Sequence, residues 1–227
     1  MRGTSKSAAI VQIAIMPLPW ALRRRLLVGL FGFRIHPTAR IGLSLLLAER
    51  VEMGEGSIIG SLNMIKGMSE LTVAPRGHIG NLNWITGLPP SDPDFFREEP
   101  DRISALVVGE DAAITNRHLL DCTNRITIGR FATIAGFRSQ FITHGIDIGP
   151  NRQSSLPIEI GDYCFTGTGV IVLKGAVLGP RCVLGAGSML RGQFLEEYKL
   201  VSGNPAKPIR DLDPSSSYFH RTQGRVH

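Results

Sequence analysis

The sequence predicts an all-β solenoid, a parallel β-helix whose chain turns a corner every six residues. Three observations predict it. Stepping by six from Ile160 gives Thr166, Val172, Leu178, Leu184 and Leu190, so five of these six positions are aliphatic. Four residues after each of the first five come Cys164, Val170, Ala176, Cys182 and Ser188, all small or modest in volume. Glycine directly follows the aliphatic position at Gly161, Gly167, Gly179 and Gly185. No helix has a period of six, and a half-buried strand alternates at two. A chain that buries one aliphatic side chain per flat and bends at a small residue does have it. Three flats close a triangular coil of about 18 residues, and coils stack as parallel strands roughly 4.8 Å apart.

Composition agrees. The 227 residues are 43% hydrophobic but only 7% aromatic, with 26 glycines, which describes an aliphatic core and many turns. A formal charge of +6 and a pI near 9.6 call for an anionic partner such as a phosphate or a membrane surface. The basic groups, Arg23–Arg25 and the set Arg191, Lys199, Lys207 and Arg210, are not interleaved with aromatics, which argues against nucleic acid. Cys122, Cys164 and Cys182 lack metal-ligand spacing and read as reduced thiols of a cytoplasmic protein, placed in the cytoplasm or at the inner face of its membrane. Cys164 and Cys182 are one coil apart, where in-register rungs do not favour a disulfide.

Taken in order, residues 1–33 form an apolar and basic helical segment. Ala8–Leu22 is too short and too interrupted by Gln12, Pro17 and Pro19 to span a membrane. Two readings stand for Pro19–Phe33: packing on the body of the protein, or a peripheral helix with its arginines at lipid phosphates. The coil is expected over residues 34–190. Ile35, Ile41, Leu47, Met53, Ile59, Ile65 and Leu71 keep one frame, which then slips by two to Val73, Ile79 and Ile85. Val108, Ile114 and Leu120, then Ile128 and Ile134, continue it. Two segments break the frame, the Pro- and acid-rich loop 87–102 and the histidine-bearing loop 143–157. Loops on a rigid scaffold are where chemistry collects. Residues 191–227 read as a C-terminal extension ending in a polar, mobile tail.

The hexads "IGDYCFTGTGVIVLKGAVLGPRCVLGAGSML", followed by "VSGNPAKPIR", resemble the left-handed β-helix acyltransferases of the hexapeptide-repeat superfamily. Within it the chain is similar to the sugar O-acetyltransferases, including the maltose/galactoside and the colanic-acid and polysaccharide-biosynthesis enzymes. The likeness is dense over Arg117–Asp211 and looser over Ile35–Ile85. It implies a left-handed coil, a homotrimer, acetyl-CoA in a groove between subunits, and a histidine as general base toward a sugar hydroxyl. His144 in "FITHG" stands at the family's histidine position. His118, Asn116, Arg117 and Asp121 fall near the place where relatives contact the acceptor or the oxyanion, and they stay unranked. Thr168 and Ala186, each after a glycine (Gly167, Gly185), stack 18 apart where relatives hold the pantetheine arm. Lys207 and Arg210 match basic positions for the adenosine phosphate. Arg191 stands in for the usual lysine of a Thr-Lys pair that reads Arg191–Gly192 here. N-acylation of a nucleotide-linked amino sugar shares base and groove, and a non-catalytic β-helix scaffold is the reading of another class. The zinc hydrases of this fold need three histidines, two closely spaced, and no such pair lies near His144.

Overall fold

A computed structural model describes residues 5–90 and 95–226. Part of the first insertion (91–94) and His227 therefore lie outside the described residues. Two helices precede a triangular stack of parallel rungs, the β-helix that the hexads predict, with the left hand that the resemblance implies.

One aliphatic ladder lines each face. The first face is a nine-stranded sheet running from Arg40–Ile41 through Phe165–Thr166 and Val183–Leu184 to Ala206–Asp211. Ile41, Ile59, Ile79, Ile114, Ile134, Thr166, Leu184 and Val201 are its buried inward residues. The second face stacks Leu46, Ile65, Ile85, Leu120, Phe141, Val172 and Leu190, and the third stacks Ile35, Met53, Val73, Val108, Ile128, Ile160 and Leu178. Two long strands, Leu45–Met53 and Met64–Val73, bend around the edge between these faces and join them into one 13-stranded sheet.

The coil length follows the frame. Side chains stacked along one edge link Leu43 to Ser61 across 18 residues and Ser61 to Asn81 across 20, which is the slip of two. The two insertions stretch this to 35 between Asn81 and Asn116 and 32 between Arg130 and Asp162. One frame position is corrected. Leu46, not Leu47, turns inward, because the pairing with Met64–Val73 shifts between Leu47 and Ala48, opposite the extra residue Gly67. The coil also runs beyond the expected end at Leu190. Gln193–Phe194 pairs with Val177–Leu178, and Lys199–Gly203 pairs with Val183–Leu184, since Phe194 and Val201 still supply inward apolar side chains.

Helices α1 (Lys6–Ile15) and α2 (Trp20–Phe31) close the N-terminal end. Pro17 and Pro19 separate them, Ser5 caps α1 and left-handed Gly32 ends α2. Each turns a stripe inward: Ala8, Gln12 and Ile15 from one, Arg23, Leu27 and Phe31 from the other. Their polar members satisfy the open edge of the first coil on all three faces. Gln12 both donates to the Leu46 carbonyl (2.7 Å) and accepts from its N–H (2.9 Å). Arg23 donates to the carbonyls of Ile41 and Gly42, and Arg24 to that of Ile35. Two of the three arginines in the basic run therefore cap an exposed strand edge instead of facing lipid. No described helix is long and apolar enough to cross a membrane.

The tail is not the mobile segment expected. Residues 213–226 run back along the outside of the first face toward the N-terminal rungs. Phe219 is buried, the Tyr218 hydroxyl donates to the Cys164 carbonyl (3.2 Å), and Gly224 N–H donates to Asp111 Oδ1 (3.1 Å). Arg221 donates to the Phe131 carbonyl and lies over the ring of Tyr218 at 4.0 Å. Aromatic and cationic side chains at the edge between the third and first faces give a polar tail a surface to hold.

Candidate active site

Both insertions leave the coil at the edge between the second and third faces, and one rung separates them. That rung carries Asp121 at the end of strand Leu119–Asp121. Its carboxylate is almost enclosed. Oδ1 accepts from the Thr123 hydroxyl (2.6 Å) and N–H (3.1 Å), while Oδ2 accepts from the N–H groups of Thr143 (3.0 Å) and His144 (3.2 Å). Oδ2 also meets His144 Nδ1 at 2.6 Å, with the imidazole 36% exposed and the carboxylate 10%. An Nδ1–H that donates to Asp121 leaves the lone pair on Nε2, the tautomer a general base needs.

The electrostatics follow. The bond from Asp121 raises the His144 pKa above the ordinary imidazole value, against burial and the positive charges of Arg102 and Lys174, which lower it. Burial works to raise the Asp121 pKa, but hydrogen bonds from His144 and Thr123 hold it below the usual carboxylate value.

Segment 143–157, expected as a loop, is a β-hairpin. His144–Asp147 pairs antiparallel with Arg152–Ser155, and the first insertion packs on it. Ser155 donates its N–H (2.9 Å) and hydroxyl to the Glu99 carboxylate, and it accepts from Asn124 Nδ2 (2.9 Å). Phe96 meets the His144 ring edge-on, with centroids 6.0 Å apart, and the Arg102 guanidinium lies 4.4 Å from the centre of Phe96. Between the insertions lies an open cleft of about 490 Å³, lined by Phe95–Glu99 and Asn151–Gln153. Phe96, Arg102 and Glu99 did not stand out in the sequence. Their one signal was membership of a frame-breaking segment, and the shared edge appears only once both insertions are folded.

His118 is not at this site. It is 2% exposed at the opposite end of its strand. Nδ1 accepts from Ser139 N–H (3.2 Å), so Nε2–H faces the Thr115 hydroxyl (2.9 Å), and burial lowers its pKa to about 4. A neutral imidazole with both nitrogens engaged locks a corner. Asn116 and Arg117 are exposed on that same corner, between the first and second faces, where Asn116 Oδ1 accepts from Asn81 N–H (2.7 Å) and Arg117 takes a positive φ of 59°. Of the four residues grouped near the acceptor, the structure brings Asp121 alone to His144.

The small-residue ledge lies on the corner of Asn116 and Arg117. Thr168 and Ala186 are exposed on successive rungs, tied by Gly187 N–H to the Thr168 carbonyl (2.9 Å). Gly167 and Gly185 do not open this ledge. A side chain on either would strike the next rung, at Ala186 N (2.6 Å) and Ser202 Oγ (2.5 Å). The open positions are Gly169 and Gly187, at φ +66° and +67° with nothing within 4 Å of an added Cβ. A flat ledge of this kind fits an extended pantetheine arm. Lys207 and Arg210, both exposed, lie on the hairpin strand Ala206–Asp211 beyond the same ledge. Arg191 does not join them, since it follows strand Met189–Leu190 at the edge that bears His144. Ledge and histidine thus stand at opposite ends of the second face, on the order of 20 Å apart for the six steps from Thr168 to Lys174.

Comparison with known proteins supplies a repeat match over part of the chain, and a fold. Residues 157–192 match the bacterial transferase hexapeptide (six repeats) family. A Schizosaccharomyces pombe protein classed by inference as an acetyltransferase is 38% identical over 74 residues, 31% of this chain and 35% of that protein. A Mycobacterium tuberculosis protein, classed likewise, is 22% identical over 203 residues, 88% of this chain and 63% of that protein. The chain thus spans less than two thirds of the length of either. The crystal structure of a polysialic acid O-acetyltransferase superposes with a TM-score of 0.59 at 16% identity, covering 82% of this chain and 90% of that one. Residues 157–192 thus match the hexapeptide repeat of bacterial transferases, and the chain shares the fold of that O-acetyltransferase.

Proposed function

We propose that the protein is an acyl-CoA-dependent O-acyltransferase, with acetyl the acyl group, acting on a hydroxyl of a sugar or polysaccharide precursor. The observation that carries this reading is the Asp121–His144 pair, whose imidazole meets Phe96 of the cleft lining edge-on. Asp121 fixes the Nδ1–H tautomer. His144 Nε2 then takes the proton of the acceptor hydroxyl as its oxygen bonds to the acyl carbon. Acetyl-CoA supplies an acyl carbon activated as a thioester. When the C–S bond breaks, His144 returns the proton to the departing sulfur, so charge and protons balance. Phe95, Asn151, Arg152 and Gln153 offer the apolar and polar contacts a sugar needs.

The same reading calls for a trimer. Ledge and base lie too far apart on one chain, whereas parallel neighbours set the ledge of one against the histidine edge of the next. Exposed Leu43, Leu62, Leu82 and Phe137 continue the ledge corner toward the N-terminus, with Trp84 and Leu119 beside them, a stripe suited to a second copy. Peripheral membrane contact belongs to the proposal through the outward Ile10, Ile13, Leu22 and Arg25 of the cap, and is tested by co-sedimentation with anionic vesicles.

The test is acyl-CoA consumption across a panel of sugars, amino sugars and nucleotide sugars. His144→Ala should lower turnover roughly 10²–10⁴-fold and leave acyl-CoA binding intact. Product formed only on amines would replace the O-acyl reading with N-acylation. Absence of acyl-CoA binding would favour a scaffold.

A further inference from the structure

His144 stands on a hairpin with little support of its own. Its strands, His144–Asp147 and Arg152–Ser155, pair only with each other, and an isolated hairpin of this length is marginal in water. The other insertion braces it, and that insertion is itself fastened to the coil through Arg102.

Arg102 is 5% exposed. Its guanidinium donates to the Leu88 carbonyl (2.5 Å), to the Thr123 carbonyl and, at 3.4 Å, to the Pro89 carbonyl. The same group lies over Phe96 at 4.4 Å. These contacts reach both sides of the imidazole. Thr123 carries the two donors that fix Asp121 Oδ1, and Phe96 presents its ring edge-on to His144. We propose that Arg102 is a positioning residue for acyl transfer, which pins the first insertion to the rung bearing Asp121 and so seats His144 between the carboxylate and Phe96. The inference rests on the reading of His144 as base.

The residue type fits the task. A planar fork bonds several carbonyls in its plane while its face stacks on an aromatic ring; an ammonium supplies donors but no plane. Around the imidazole stand Asp121, the cations Arg102 and Lys174, and Glu99 by way of Ser155. Lys174 is bound to Asp147 (2.8 Å) and Ser154. Removing Arg102 takes away one of the two positive charges that oppose protonation of His144.

The experiment compares Arg102→Met and Arg102→Lys with the unaltered enzyme by steady-state kinetics, and follows the His144 ring proton by NMR titration. Arg102→Met should lower kcat about 10–100-fold, the scale of a misplaced catalytic group. KM for acyl-CoA should hold, because the ledge is on another edge. The His144 titration midpoint and the acid limb of the rate profile should both move to lower pH, and Arg102→Lys should recover part of each effect. Losing the seat against Asp121, which raises the midpoint most, outweighs losing the Arg102 charge. If Arg102→Met does not fold, Phe96→Leu removes the ring contact alone and should give a smaller loss of the same kind. A native titration midpoint with native kcat in Arg102→Met overturns the proposal, as does a kcat loss matched by an equal loss of acyl-CoA affinity. The titration needs no turnover. A lowered midpoint in a chain that transfers no acyl group would uphold the brace and refute the base, whereas a raised one, the mark of lost charge alone, would overturn the brace.

Discussion

Asp121 shows how one buried carboxylate can assign a role to its neighbour. With Thr123, Thr143 and His144 all donating to it, the carboxylate stays ionised and keeps the His144 proton on Nδ1. Activity should therefore rise with pH through a midpoint above the ordinary imidazole value, because only the neutral ring is a base. Asp121→Asn removes the charge that favours imidazolium, so the acid limb should move to lower pH while kcat falls; a pH–rate profile checks both. Thr166 is a second case of single-residue chemistry. It takes an aliphatic slot in the first-face ladder, fully buried, and its hydroxyl finds no hydrogen-bond partner among the described residues. Thr166→Val keeps the shape and removes an orphaned polar atom, so we expect a gain of about 1 kcal/mol, measured by urea denaturation.

At the level of elements, the cap, the rungs and the insertions differ in how far they could be read from the chain. The rungs were legible because one inward aliphatic per flat repeats at a fixed step, and even the slip after Leu71 showed. Both insertions were visible as breaks in that step, and His144 as the histidine inside one. Leu46 in place of Leu47 was not legible, since the extra residue that shifts the pairing sits on the partner strand. Nor was the partnership of Asp121 with His144, which depends on two insertions sharing an edge. The arginines of the cap look like a surface charge run until the strand edge they bond is known. That edge supports a further expectation. Gln12→Ala leaves the Leu46 N–H and carbonyl without their partner at the open end of the second face, and should cost about 1–3 kcal/mol. Denaturant midpoints measure this, and an unchanged midpoint would show that water serves the edge equally well.

On the scale of the whole molecule, the trimer and the base proposed above have a direct assay. Ala186→Trp should block the ledge, and His144→Ala removes the base at the far edge. Each variant alone should be inactive. Coexpressed in equal amounts and assorting at random into trimers, they should regain about a quarter of native activity, because one subunit supplies an intact ledge and its neighbour an intact histidine. A site confined to single chains would regain none.

The strap formed by residues 213–226 alters how such a solenoid should come apart. A stack of rungs is nearly one-dimensional: each coil touches only the next, so stability can be lost piecemeal from either end. Here Gly224 holds Asp111 across 113 residues of chain and Arg221 holds Phe131 across 90, while Tyr218 reaches Cys164. Three consecutive rungs, the outer two not paired with each other, are thereby made to share one fate. Unfolding should be a single cooperative event in the full chain, and removal of residues after Leu212 should split it into stages, with hydrogen exchange rising first in the rungs the strap had crossed.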